Sequence, residues 1–149
     1  MIEKARMDDA RQILALVNHF AQRELMLPRS LSNIYEFLRD FFVCRQEDRV
    51  VACAALHVSW DGLGEIRSLA VADDVQGSGI ARRLVESCLE EARGLGMNRV
   101  FVLTYVPDLF QRFGFVPYPK EKLPHKIWAD CIHCPKFPDC DEVALVMDL

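Results

Sequence analysis

Apolar residues early in the chain recur at helical spacing. Ile13, Leu14, Leu16, Val17 and Phe20 fall on one side of a 3.6-residue repeat behind Asp8 and Asp9, either of which can cap a helix, and Pro28 lies beyond its end. Ser30 or Ser32 can start a second, shorter helix through Ile34, Phe37 and Leu38. The pattern then changes to short apolar runs. Residues 41–44, 50–58 and 65–71 read as strands, separated by the turn-like stretches RQEDR and SWDGLG. Ile80, Leu84, Val85, Cys88, Leu89 and Ala92 return to one helical face, ending near Gly94 or Gly96. A strand over 100–104, a short helix over 108–112, a short strand near Phe115 and a last strand over 142–147 complete the reading. In the order α, α, β, β, β, α, β, α, β, β, early strands pair as hairpins and later ones cross over through a helix. This predicts an α/β (α+β) arrangement on a mixed sheet.

No repeat, low-complexity tract or linker interrupts the pattern, so residues 1–149 are expected to form one domain, with a cysteine-containing loop over 125–141. With 51% hydrophobic and 27% charged residues the composition is that of a soluble globular protein, and no apolar run approaches the ~18 residues of a membrane span. The polar start MIEKARMDDARQ is unlike a signal peptide. A net charge of −4, from 18 basic and 22 acidic residues, argues against nucleic acid as a partner. Six cysteines without a secretion signal fit reduced thiols and a cytoplasmic location, and Cys44, Cys53 and Cys88 sit in apolar contexts as core groups. The sequence admits a homodimer without requiring one.

The stretch VADDVQGSGIARRL places Arg82 and Arg83 in the first turn of a helix, where the helix dipole favours negative charge instead. Just before them, Gln76-Gly77-Ser78-Gly79-Ile80-Ala81 joins a strand to that helix. Its glycines allow close backbone approach, and the free N–H groups of the first turn make an anion site suited to a pyrophosphate. The loop lacks the Gly-Lys-Ser/Thr element of a Walker loop and the full GxGxxG dinucleotide fingerprint.

Gln76, Gly79 and Ala81 match the Gln/Arg-x-x-Gly-x-Gly/Ala signature, and the sequence here resembles the GCN5-related N-acetyltransferase (GNAT) family, whose element order fits the whole chain. The resemblance implies that fold, a mixed sheet of about six to seven strands flanked by about four helices. It implies acetyl-coenzyme A as co-substrate, with its pyrophosphate on the amides of Gln76 to Ala81, its pantetheine arm along Leu69, Ala70 and Val71, and Arg82 or Arg83 near a phosphate. The chemistry requires a base to take a proton from an ammonium, and Glu65, read as starting its strand, suits that role through a water. The family's usual acid is a tyrosine four residues before the glycine of a Gly-Phe pair, and here LFQRFGF puts Phe110 there. The thiolate is then left to Thr104, to Tyr105 or to solvent, with hydrogen-bond stabilisation favoured over full proton transfer for a threonine.

LPRSLSNIYEFLRDF and LPHKIWADCIHCPKFPDCDEVALVM are similar to the short N-acetylglutamate synthases of bacterial arginine biosynthesis. This implies L-glutamate as acceptor, with Arg29 on one carboxylate and Lys126 for the other. An acetyltransferase for another small amine or a protein N-terminus, or a non-catalytic acyl-coenzyme A sensor, are the alternatives. Cys131, Cys134 and Cys140 have spacing suited to a structural zinc with His125 or His133 as fourth ligand, and equally to a rigid loop of buried thiols or a redox pair.

Overall fold

The helical face read from the sequence is the one that is buried: Ala10, Ile13, Val17 and Phe20 of α1 (Ala10–Ala21) are all 5% exposed or less. In the same way α3 (Ile80–Gly94) buries Ile80, Leu84, Val85, Cys88, Leu89 and Ala92. The computed structural model describes residues 1–124, 127 and 142–149. Between these two helices lies a seven-stranded sheet. Its strands are β1 (Ile2–Lys4), β2 (Phe41–Gln46), β3 (Arg49–Trp60), β4 (Leu63–Val71), β5 (Arg99–Thr104), β6 (Val116–Pro117) and β7 (Val143–Asp148), with α2 (Leu31–Glu36) and α4 (Pro107–Arg112) as the remaining helices. The spatial order is β1-β2-β3-β4-β5-β7-β6, with β4 and β5 parallel and the other neighbours antiparallel. The fold is therefore the expected mixed α/β arrangement. No helix among the described residues is long and apolar enough to cross a membrane.

Three expectations about local structure change. β1 pairs with β2, Ile2 facing Cys44, and its three residues are too few to show an alternation. Asp9 does not cap α1 with its side chain. Its carboxylate accepts the backbone N–H of Arg6 at 2.7 Å and pairs with Arg45 of β2, which also pairs with Glu3. Glu65 is the third residue of β4, not its first, because the turn before it is only Asp61-Gly62. Ser30, by contrast, does cap α2, accepting the N–H of Asn33 at 3.1 Å.

Asp9 is 3% exposed, so removing its charge strands a cation that Glu3, on the rim, compensates only in part. Asp9→Ala is expected to lower stability by about 2 to 3 kcal/mol, below the usual cost of an orphaned buried charge because Glu3 remains. A shift of the urea midpoint at constant slope measures it, and a shift of less than about 0.5 kcal/mol would show the pair to be dispensable.

The two faces of the sheet carry separate cores. Residues of α1 and α2 pack on Val43, Cys53, Ala55 and Ala70, whereas α3 packs on Ala52, Ala54, Leu56, Ile66 and Val100. Cys44, Cys53 and Cys88 are buried in these cores, and burial pushes the thiols of Cys53 and Cys88 up to about 12, so both remain protonated core groups at neutral pH.

Candidate active site

The sheet splits between its two parallel strands. β4 pairs with β5 at Leu63, Gly64 and Glu65, opposite Arg99, Val100 and Phe101, and among the described residues the ladder goes no further. The remainder of β4, residues 66–71, leaves β5 along an open edge. Ala72 donates its N–H to Val51 of β3 at 2.8 Å, so alternation along the strand turns the backbone of Val71 the other way, toward the opening. Consistent with this, the Val71 carbonyl accepts from Gln76 Nε2 at 3.0 Å. Leu69 to Val71, the residues expected to meet an extended ligand arm, therefore border the split.

A bulge re-aims this edge. Cys53 faces Ala70 and Ala55 faces Arg67, so the single residue Ala54 stands opposite two, Ser68 and Leu69. Ser68 has φ +56°, a left-handed backbone that costs a serine about 1 kcal/mol or more. The extra residue also reverses the parity of the strand. Before it, Ile66 meets the α3 core and Glu65 and Arg67 take the α1–α2 side; after it, Ala70 takes the α1–α2 side and Leu69 and Val71 meet the α3 core.

Beyond β4 the chain makes a 3₁₀ turn, Asp73–Val75, and reaches the glycine loop. Gly77 and Gly79 have φ +82° and +83°, conformations that glycine adopts without penalty, and Gly79 is the residue before the first turn of α3. The first intrahelical bond is Arg83 N–H to the Gly79 carbonyl, at 3.2 Å, which leaves the amides of Ile80, Ala81 and Arg82 without a carbonyl inside the helix. No acidic residue stands in this turn. The two acids just before the loop are held by basic side chains: Asp73 by Arg23 and the His19 ring, and Asp74 by Arg49, with contacts of 2.8 to 3.1 Å. Hydrogen bonds from His19 and then Arg23 keep the Asp73 carboxyl below its ordinary range, and Arg49 does the same for Asp74. Their charge is thus balanced and does not oppose an anion at the loop. Arg82 stacks over Phe113 at 4.9 Å and donates to the Arg112 carbonyl at the end of α4. The conspicuous arginine at a helix start thereby serves a neighbouring helix end.

On the α1–α2 side the split exposes a cluster of charged groups. Glu65 is 8% exposed, and its Oε1 accepts from Arg67 Nε at 2.7 Å. Its cross-strand partner is His57, whose Nδ1 lies 2.8 Å from Asp40 Oδ2 and whose ring stands edge-on to Phe37. Arg29 enters from the segment before α2. It donates from Nε to Asn33 Oδ1 at 2.6 Å and from Nη1 to Ser68 Oγ at 2.9 Å, and stacks 5.2 Å from the centre of Phe41. Both of these acceptors are neutral, and among the described residues no carboxylate makes an ion pair with it. Burial foremost, and then the positive charge of Arg67, hold the Arg29 guanidinium below its ordinary value, with Cys53, Asp40 and Glu65 opposing them.

The residues named from sequence divide accordingly. The split joins two features on opposite sides of the sheet: the glycine loop, and the cluster that contains Glu65 and Arg29. Thr104 falls on the other face from Glu65, in step with Val100 and Val102, and its Oγ1 accepts the N–H of Val106 at 2.9 Å as the chain turns into α4. Phe110 is 4% exposed and packs edge-on against Phe113 and Phe115, so the family's tyrosine position is here a core position. Lys126, Cys131, Cys134 and Cys140, with His125 and His133, lie outside the described residues. Arg67, His57 and Asp40 escaped the sequence reading. Polar Glu65 and Arg67 two apart in an otherwise apolar strand was the available signal, since that spacing gives one polar face to a buried strand.

Comparison with known proteins bears on the same features. The model of the acetyltransferase (GNAT) family matches residues 8–115, which include both the loop and Glu65. An uncharacterized N-acetyltransferase of Chlorobaculum tepidum is 42% identical over 148 residues, covering 99% of this chain and 96% of that protein. The amino-acid acetyltransferase of Mycobacterium tuberculosis is 40% identical over 118 residues, 77% of this chain and 67% of the relative. Among solved structures, the N-acetylglutamate synthase of Neisseria gonorrhoeae, complexed with coenzyme A and N-acetyl-glutamate, aligns over 100% of this chain with a TM-score of 0.88 and 25% identity, although this chain spans only 35% of that one. Sequence, fold and the placement of the glycine loop agree: the chain belongs to the acetyltransferase (GNAT) family and is an acyltransferase.

Proposed function

We propose that the protein transfers the acetyl group of acetyl-coenzyme A to the α-amine of a free amino acid, and that L-glutamate, as in arginine biosynthesis, is the acceptor that fits best. The observation that carries this reading is Arg29. A half-buried guanidinium that hydrogen-bonds two neutral oxygens, and makes no ion pair with a carboxylate among the described residues, still has donors that a carboxylate would take up. The amino-acid acetyltransferases and the N-acetylglutamate synthase among its relatives support the same acceptor class. Arg67 is a second cation within the cluster, and Lys126 is the sequence candidate for the acceptor's other carboxylate.

Acetyl-coenzyme A would bring the activated thioester, and the chain's own groups would bind and order the reactants. The amides of Gly77 to Ala81 suit a pyrophosphate, and the open edge at Leu69 to Val71 suits an extended amide-bearing arm. Glu65, with one oxygen fixed by Arg67, takes the proton from the ammonium so that the amine becomes nucleophilic. With Phe110 in the core, the departing thiolate takes its proton from solvent or is stabilised by a hydroxyl.

An acetyl-transfer assay across the free amino acids, read by coenzyme A release, tests the acceptor, and glutamate is expected to give the highest kcat/KM. Arg29→Ala is expected to raise the KM for the amino acid about tenfold, the cost of one charge-assisted contact, with little change for acetyl-coenzyme A. Because Arg29 also holds the bulge through Ser68, Ser68→Ala is the control, and it should leave the amino-acid KM nearly unchanged. Equal effects of Arg29→Ala on both substrates would count against a carboxylate clamp.

A further inference from the structure

The His57–Asp40 pair stands beside the base. His57 and Glu65 occupy facing positions on β3 and β4, on the same side of the sheet, which brings their Cβ atoms to within about 5.5 Å. Asp40, in the 3₁₀ turn Leu38–Asp40 that follows α2, fixes the imidazole through Nδ1 at 2.8 Å. A carboxylate at Nδ1 calls for a hydrogen on that nitrogen, so in the neutral ring the lone pair is on Nε2, the nitrogen that can accept a proton. The two side chains are 23% and 26% exposed, so the pair touches solvent, whereas the side chain of Glu65 is 10% exposed. The charged groups around the pair are Asp40, on the ring itself, Glu65, facing His57 across the strands, and Arg67, bound to Glu65; Arg29, the other cation of the cluster, is held by Asn33 and Ser68.

We infer that His57, oriented by Asp40, carries to solvent the proton that Glu65 takes from the amine. The inference rests on Glu65 being the base. Acetylation of an ammonium releases one net proton, because nitrogen gives up its protons and the departing sulfur takes one back. Glu65 must therefore be deprotonated again before the next turnover, and its side chain has less contact with solvent than those of His57 and Asp40. The proton passes from the Glu65 carboxyl to Nε2 of His57, giving an imidazolium stabilised by the Asp40 carboxylate. The imidazolium then loses it to bulk water or buffer, and neutral His57 and ionised Glu65 are restored. Neither residue acquires a lasting charge, and no other reactant is consumed. His57 is in this sense a positioning and relay residue that acts through Glu65, not one that touches the acceptor.

Steady-state kinetics of His57→Gln, Asp40→Asn and Glu65→Gln, with thermal melts to identify folded variants, separate the possibilities. His57→Gln is expected to lower kcat about tenfold, less than the roughly hundredfold or more that loss of a direct proton-transfer group costs because Glu65 still takes the proton from the amine, with both KM values within about twofold of the parent. Asp40→Asn should lower it in the same direction while retaining the imidazole. The distinguishing readout is rescue by small buffers: in His57→Gln, kcat should rise with buffer concentration, and more steeply for more basic buffers, which a merely structural role would not produce. An unchanged kcat in folded His57→Gln, a fall that no buffer restores, or an effect confined to the amino-acid KM would overturn the relay. If Glu65→Gln keeps the parent kcat, it is the base assignment itself that fails; if Glu65→Gln is impaired and His57→Gln is not, the base stands and only the relay falls.

Discussion

Glu65→Gln is expected to reduce kcat by about two to three orders of magnitude, within the usual range for removing a positioned general base, while leaving the dissociation constant of coenzyme A unchanged. Two features make this the largest catalytic effect. The side chain is on the opposite side of the sheet from the Leu69 and Val71 side chains, so coenzyme binding at the loop and open edge does not depend on it. The substitution is also nearly isosteric, so the amide can still accept from Arg67 Nε through its oxygen, and the geometry of β4 is retained. What is lost is the ability to take up a proton. The residual rate should climb with pH, because free amine replaces ammonium in solution and needs no base. Measuring kcat from pH 7 to 10 alongside a coenzyme titration checks both halves. A variant with parent-like kcat near neutral pH would remove Glu65 from the mechanism.

How much of this arrangement could be read from the chain depended on how local its cause was. α1 and α3 were legible because burial imposes a 3.6-residue period over three or four turns, and the same residues that carry the period are the ones buried. The glycine loop was legible because positive φ at Gly77 and Gly79 requires a particular residue type. β1 was not, since its existence depends on partners forty residues away, Glu3 with Arg45 and Ile2 with Cys44. The bulge at Ser68 left no mark either, because a serine at positive φ is held there by tertiary contacts with Arg29 and Cys53, not by its own preference. The His57–Asp40 pair is joined across seventeen positions and two elements, and each residue alone looks like an ordinary polar group at the edge of a strand or turn. Arg29 was named from sequence and does reach the cluster. Thr104 was named as well, yet strand alternation sends it to the other face, where its hydroxyl serves the backbone of Val106.

Gly79→Val should weaken coenzyme A binding by about 2 kcal/mol, roughly thirtyfold, because several charge-assisted contacts at the helix start are disturbed together. The cause is conformational. A Cβ added at Gly79 would meet no atom within 4 Å, so the folded chain has room for a side chain, but at φ +83° a β-branched residue is strained, and relieving the strain rotates the peptide that leads into α3. That rotation moves the amides of Gly79 and Ile80 away from a common focus, and the branched side chain occupies space into which phosphate oxygens would come. Stability is expected to fall by about 1 to 2 kcal/mol, the cost of a side chain in an unfavourable backbone region, while the buried face from Ile80 to Ala92 continues to pack. Gly94→Ala offers a matched control at the far end of the same helix, where a Cβ also meets nothing within 4 Å and no positive φ is required. That variant should bind coenzyme A as the parent does. Calorimetric titration of coenzyme A into both variants, beside thermal melts, makes the comparison. An unchanged dissociation constant in folded Gly79→Val would place the anion away from this loop, and the amides of Ile80, Ala81 and Arg82 would then need another partner.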